Sequence, residues 1–316
     1  MSRPAIVFWR RLASALLGQI RVGSLVVVDG GRRRTFGYGA PSATIHIHDR
    51  RFWRMLMRGS RGLAESYIQG CWDSPDLVAV IRLAARNAVV IDRVRAHTAP
   101  LWVPRQRLRS LLHRPSRMRS QRDISAHYDL GNELFSLMLD PTMMYSCALF
   151  EHPGMTLEQA SVAKLERVCE QLQIGPDDHV LEIGTGWGGF AVYAATTRGC
   201  RVTTTTISAE QHDYAVRRIA EAGCSDLVTV LMRDYRDLGG RFDKLVSIEM
   251  IEAVGWQEIG RFFAKCSELL TPHGAMLLQA ITIDDRAYEV EKASKSFIKE
   301  YIFPGGCLPS MEVIMR

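Results

Sequence analysis

The stretch VLEIGTGWGGFAVYA, residues 180–194, sets a run of glycines between an apolar strand-like segment and a helix-like one. A glycine turn in that place lets a ligand approach the backbone closely. Gly184, Gly186 and Gly189 satisfy the G-x-G-x-x-G spacing of dinucleotide sites. Two neighbours argue for something else. Glu182 stands at the strand's end, where a carboxylate repels a pyrophosphate and suits a cation. A dinucleotide site also wants an acid at the end of the next strand, to hold the ribose. That strand, RVTTTTIS, ends in Thr206, Ile207 and Ser208. S-Adenosylmethionine has no phosphate and carries a positive sulfonium and a positive amino group, so it suits the turn better. Glycines at 184, 186 and 188 would let the backbone approach it. A dehydrogenase site and a tight turn with no ligand stay open at this stage.

These residues need a scaffold. Strand patterns fall at 179–183, 201–207, 227–232, 243–249 and 275–283, and helical patterns at 157–172, 188–198, 209–222 and 256–270. Alternating strands and helices predict an α/β fold, a doubly wound Rossmann-like parallel sheet covered on both faces. Ligands in such sheets bind beyond the carboxyl ends of the strands, at the switch point, and the glycine turn follows the first strand.

Ahead of it, residues 1–92 read as a small α+β domain. LVVVDGGRRRTFGY predicts a hairpin turning at Asp29-Gly30, and SATIHIHD a further strand. RFWRMLMRGSRGLAESYIQG reads as a helix weakened or broken at Gly59 and Gly62. DLVAVIRLAARNAVVIDRV reads as a second helix. At the N-terminus, Phe8, Leu12, Leu16 and Ile20 recur as one helical face, expected to pack on its own domain, with membrane contact as the alternative. His46 and His48 share a strand face; a surface strand, not a metal site, is expected.

Residues 93–122 hold nine arginines, no acid and three prolines, and read as a basic linker. The whole chain's charge is only +6. Such a segment suits an anionic membrane surface. The segment shows no repeated pattern of aromatic residues interleaved for base stacking, so no nucleic-acid partner is expected. Seven cysteines without a C-x-x-C pair suggest neither disulfides nor zinc, and a reducing, cytoplasmic setting.

Five further segments sharpen the reading: HYDLGNELFSLMLDPTMMYSCALF (127–150), LEIGTGWGG (181–189), TISAEQ (206–211), SIEMIEAVG (247–255) and SKSFIKEYIFPGGCLPS (294–310). Together, and in this order, they resemble the cyclopropane-fatty-acyl-phospholipid synthase family, which includes the mycolic acid cyclopropane synthases and related fatty-acid methyltransferases. The resemblance runs from about residue 123 to the end and implies a class I methyltransferase domain over 123–316. It implies transfer of a methyl group from S-adenosylmethionine to a cis double bond of a membrane phospholipid's acyl chain. The cation formed then loses a proton and closes to a cyclopropane, with bicarbonate as the base. An enzyme working peripherally at the inner face of the membrane is expected, and a homodimer stays open.

The resemblance also assigns residues. Tyr145, Ser146, Gly184, Thr185 and Gly186 would touch the cofactor. Thr206, Ile207 and Gln211 would stand in for the missing ribose acid, and Asp234 and Tyr235 would line the adenine. Cys147, Glu252, Gln279, Ile281 and Tyr301 match the positions that hold bicarbonate. Many members read E-H-V-G where this chain has Glu252-Ala253-Val254-Gly255, and L-H-T-I where it has Leu278-Gln279-Ala280-Ile281. A glutamine can hydrogen-bond an anion but cannot titrate near neutral pH. Methyl or methylene branching of the same acyl chain is therefore a rival outcome. Family members also run on past the position of Arg316, so the sheet is expected to lack its last strands. A truncated, membrane-associated binding protein without catalysis is the rival from another class.

Overall fold

The computed structural model describes residues 3–90, 131–294 and 296–316. The basic segment 93–122 lies outside them, as do residues 127–130 of the first family-like motif. By contact, the described residues form two units: 3–90 with 293–302, and 131–292 with 303–316.

In the first unit a four-stranded sheet runs in the order β2-β1-β3-β4. Its strands are β1 (Gly23–Asp29), β2 (Arg32–Tyr38), β3 (Ser42–Ile47) and β4 (Trp72–Asp73). β1 and β2 form the expected hairpin, but Asp29 pairs with Arg32, so the turn is Gly30-Gly31. Both glycines have positive φ, 57° and 79°, which matches the twist of a two-residue hairpin turn. The expected long helix breaks into Phe52–Leu56 and Gly59–Ile68, with Gly59 at φ 71° between them.

The N-terminal helix Arg3–Leu17 packs through Trp9, Ala13 and Leu17. The expected face is one residue out of step: Phe8 and Leu12 are 59% and 39% exposed. The helix packs chiefly against the short helix Phe52–Leu56, with Ala13 fully buried in the shared core. His48 Nε2 lies 3.0 Å from the Asp73 carboxylate, and no cluster of three metal-ligating side chains occurs among the described residues.

The second unit holds a five-stranded, all-parallel sheet in the order β7-β6-β5-β8-β9. The strands are β5 (His179–Ile183), β6 (Arg201–Thr206), β7 (Val228–Met232), β8 (Phe242–Ile248) and β9 (Leu270–Gln279). Side chains alternate across it, as the two-residue period of a strand requires. Val180, Val202 and Val228 pack with helices Leu157–Leu172, Gly189–Arg198 and Ala209–Glu221 on one face. Leu181, Ile183 and Leu245 pack with helix Ile259–Leu269 on the other. The chain winds outward from β5 to β7, then returns beside β5 with β8, so the switch point lies between β5 and β8.

Two expected elements are shifted. The helix expected at 256–270 starts later, at Ile259, and a separate short turn, Ile251–Val254, precedes it and ends at Gly255, at φ 84°. The last strand runs over 270–279, not 275–283. It ends there because the Ile281 N–H donates to Glu252 Oε1 at 2.6 Å, and a side chain takes the donor that a further ladder would use. Among the described residues no helix is long and apolar enough to cross a membrane.

Candidate active site

The glycine turn leaves β5 at the switch point. Gly184, Gly186 and Gly188 have φ of 104°, 51° and 80°, a region that side-chain-bearing residues avoid. The Gly184 and Thr185 N–H groups both donate to Thr205 O at 3.1 Å, which ties the turn to the end of β6. The three glycines do different work. A Cβ on Gly186 would meet nothing within 4 Å, so this is the open side from which a ligand can reach the backbone. A Cβ on Gly188 would come within 3.2 Å of Ala215, and one on Gly189 within 2.6 Å of Thr142 O. Gly188 thus also packs closely on helix Ala209–Glu221.

Beneath the turn, Glu182 is buried with Thr204 and Thr185. The Thr204 hydroxyl donates to Glu182 Oε2 at 2.6 Å and lies 2.8 Å from Thr185 Oγ1. Burial pushes the Glu182 carboxyl up to about 8, against the lowering effect of the Thr204 bond. The acid is therefore mostly neutral at pH 7.

Thr206 and Gln211 come together as expected: the threonine hydroxyl donates to Gln211 Oε1 at 2.9 Å. Ser208 caps the following helix through the Gln211 N–H, and Ile207, between them, is half-buried. Asp234 caps a short turn and is held by Arg236 at 2.5 and 2.8 Å. Tyr235 packs edge-on against Phe262, at 5.5 Å between centroids. Burial pushes its phenol up to about 12. Tyr145 stands edge-on to Phe135 and Trp187, at 5.3 and 6.4 Å, with Phe303 at 6.4 Å. Trp187 is anchored by its indole N–H on Asn132 Oδ1 at 2.7 Å. This aromatic group extends the one residue, Tyr145, that the motif pointed to.

A second cluster forms where β8 and β9 end. The Cys147 N–H donates to Glu249 Oε1 at 2.9 Å, and the Gln279 amide donates to the same oxygen at 2.9 Å. That amide also lies 3.3 Å from Cys147 Sγ and 3.4 Å from Cys147 O. The Glu249 N–H in turn donates to Gln279 O at 2.8 Å. Glu249 has φ 48°. Lys164 is buried, with its ammonium donating to Ser146 Oγ at 2.6 Å. Burial lowers the Lys164 pKa, and Glu249 works against that shift. Burial and the nearby Glu249 carboxylate raise the Cys147 thiol, so it stays protonated.

Glu252 accepts from the Ile281 N–H on one oxygen, and its other, Oε2, is buried with no hydrogen-bond partner among the described residues. Burial raises its pKa. Its backbone O accepts from the Cys307 N–H at 2.8 Å. Cys147, Glu252, Gln279 and Ile281 are thus brought together. Tyr301 belongs to the first unit, where its hydroxyl donates to Glu65 Oε1 at 3.0 Å and its ring stacks on Phe297. Sequence reasoning missed Glu249, Lys164 and Thr204. Glu249 had a signal: it stands three residues before Glu252 in SIEMIEAVG, just past a strand end.

A doubly wound parallel sheet, whose switch point opens on a glycine turn suited to a cation, defines an S-adenosylmethionine-dependent methyltransferase. Comparison with known proteins narrows this class. Residues 115–316 match the family described as mycolic acid cyclopropane synthetase, and the chain belongs to that family. The tuberculostearic acid methyltransferase UfaA1 of Mycobacterium tuberculosis is 38% identical over 298 residues, covering 92% of this chain and 69% of that protein. The cyclopropane-fatty-acyl-phospholipid synthase of Escherichia coli is 38% identical over 310 residues, covering 98% of this chain and 74% of that protein. The structure of mycolic acid cyclopropane synthase CmaA1 complexed with SAH and CTAB aligns with a TM-score of 0.57 at 32% identity, covering 62% of this chain and 72% of that one.

Proposed function

We propose that the protein moves the methyl group of S-adenosylmethionine onto a cis double bond of a phospholipid acyl chain and closes the product to a cyclopropane. The observation that carries this is the pairing, at adjacent strand ends, of a cation-suited turn with a carboxylate cluster. When bound, the cofactor supplies an electrophilic methyl group on a positive sulfur. The open backbone at Gly186 and the buried Glu182 fit it. Ionisation of Glu182 on binding would offset the cofactor's positive charge inside the fold. Thr185, Gly184, Ser146 and Tyr145 would flank it, Thr206, Ile207 and Gln211 would take the ribose, and Asp234 and Tyr235 the adenine. An alkene is a poor nucleophile, so positioning in a dry site must supply much of the rate. The faces of Tyr145, Trp187 and Phe135 can stabilise a developing cation.

Bicarbonate, expected from the resemblance, does not fit the cluster as it stands. Two of its expected donors, the Cys147 backbone and the Gln279 amide, already hold the Glu249 carboxylate. A second anion there would face Glu249 and Glu252 together, and like charges at such range repel. No step is assigned to it. Tyr301, engaged by Glu65, stays a proposed site residue on the strength of its motif alone.

The same reading divides the chain into an α+β domain at 1–92, a basic linker at 93–122 and the methyltransferase domain from 123. It places the protein in the cytoplasm, peripheral to the inner face of an anionic membrane. The exposed Val7, Phe8 and Leu12 of the first helix support that contact. A homodimer belongs to the same proposal, and its test is the mass in solution. A branched product is the second reading, favoured by Gln279 and by the tuberculostearic acid methyltransferase among the relatives.

The test is methyl transfer from labelled S-adenosylmethionine to vesicles of cis-unsaturated phospholipid. Label in lipid with shielded cyclopropane protons supports ring closure, and alkene protons select the branched product. No label, with cofactor binding intact, would mean a binding protein that does not catalyse.

A further inference from the structure

We propose that Glu249 is the base that removes the proton from the methylated acyl chain, so that this protein carries within its own chain the anion otherwise expected from solution. The proposal rests on the methyl-transfer reading above.

Four observations converge on Glu249. Its Oε1 sits on the Cys147 N–H and the Gln279 amide, two donors expected to hold a free anion. Both donors anchor the same oxygen, and the Cys147 thiol lies against the same carboxylate. The residue adopts φ 48°, a left-handed conformation that costs a glutamate energy, and its N–H is locked to Gln279 O at 2.8 Å. Gln279 therefore holds Glu249 at both its backbone and its carboxylate. Lys164, buried beside Ser146, supplies a nearby positive charge. Gln279 itself cannot titrate near neutral pH, so the cluster needs another group to accept a proton.

The step balances. The S–CH₃ bond breaks as the alkene's π pair forms a new C–CH₃ bond, which leaves a positive charge on the neighbouring carbon. A proton passes from the new methyl group to the Glu249 carboxylate, and its C–H pair closes the three-membered ring. If a hydride first shifts from the methyl-bearing carbon to the cationic carbon, the same proton loss places the C–H pair in a C=C bond and gives a methylene branch. No external base enters, and the proton leaves to solvent from Glu249 before the next turnover.

The test uses the full chain with ¹³C-bicarbonate as a binding probe, read by NMR line broadening, alongside turnover in carbonate-free buffer. The expected result is no bicarbonate binding and full turnover without it in the unaltered protein. Glu249→Gln is expected to lose turnover about 100-fold while cofactor affinity holds. Glu249→Gly should bind bicarbonate and recover turnover when it is added. Bicarbonate binding or a bicarbonate requirement in the unaltered protein would overturn the proposal, as would normal turnover in Glu249→Gln. If the unaltered protein transfers no methyl group under any condition, the functional reading fails instead. The binding comparison then decides alone: gain of bicarbonate binding in Glu249→Gly supports the placement of Glu249, and its absence refutes it.

Discussion

The glycine turn and the carboxylate cluster stand at the ends of adjacent strands, β5 and β8, yet they handle charge by opposite means. At the turn, backbone does the shaping, and the one acid, Glu182, is buried and mostly neutral at pH 7. At the cluster, side chains do the shaping. Glu249 is fixed by two donors and a strained backbone, and Glu252 keeps one buried oxygen without a partner. Strain also divides along this line. The turn meets its left-handed positions with glycine, whereas the cluster places a glutamate in one. A fold accepts that cost where the surroundings over-determine the residue, which is typical of functional sites.

The largest effect that could break this contrast is at Glu252. Glu252→Gln is expected to lower turnover about 100-fold, with cofactor affinity nearly unchanged by calorimetry. A large loss of affinity would mean that the two regions are not separate in function. Next comes the turn. Gly186→Val forces a side chain into φ 51° on the open side, and cofactor affinity should fall about tenfold or more. Gly188→Ala, facing Ala215 at 3.2 Å, should instead lower the melting temperature and spare affinity.

Glu182 gives a pH test. Its folded pKa is raised from 4.5 to about 8, so the folded state holds a proton that the unfolded state has lost. That stability is fully present below about pH 4.5, declines as pH rises, and is gone above about pH 8. The cofactor-free protein should therefore melt at lower temperature as pH goes from 5 to 8, and Glu182→Gln should flatten that slope. Cofactor affinity should move the other way and rise with pH. A flat profile in the unaltered protein would remove the buried acid from the cofactor site.

The smallest effect is at Gln173, the partner in a comparison of two left-handed residues. Gln173, at φ 52°, ends helix Leu157–Leu172, and Gln173→Gly should stabilise the fold by about 1 kcal/mol with turnover untouched. Glu249→Gly relieves the same kind of strain, and its turnover in carbonate-free buffer should collapse. Equal turnover in the two variants would make Glu249's strain a structural accident.

Much of the second unit was legible from local pattern. The strands expected at 179–183, 201–207 and 227–232 fall within a residue of those observed, as do their helices, because a residue's period depends only on its neighbours in the chain. The glycine turn and the lack of a ribose acid were readable for the same reason. The errors came where distant chain took over. The helix face of Arg3–Leu17 was misjudged because the apolar positions form two overlapping stripes, and only packing in the first unit's core, against the short helix Phe52–Leu56 above all, chose Trp9, Ala13 and Leu17. The end of β9 was misjudged because the Glu252 carboxylate, 29 residues away in sequence, takes the Ile281 N–H.

The amino-acid sequence by itself determined the alternating framework, the glycine turn, the preference for a cation and the family to which the chain belongs. All of these are encoded in neighbouring residues. Tertiary structure alone decided which acid joins Cys147 and Gln279 at the strand ends. Glu249 meets Cys147 across 102 residues and Gln279 across 30, and a hydrogen bond between such partners has no periodicity to read. It exists because two parallel strands end side by side and a turn from elsewhere in the unit closes over them.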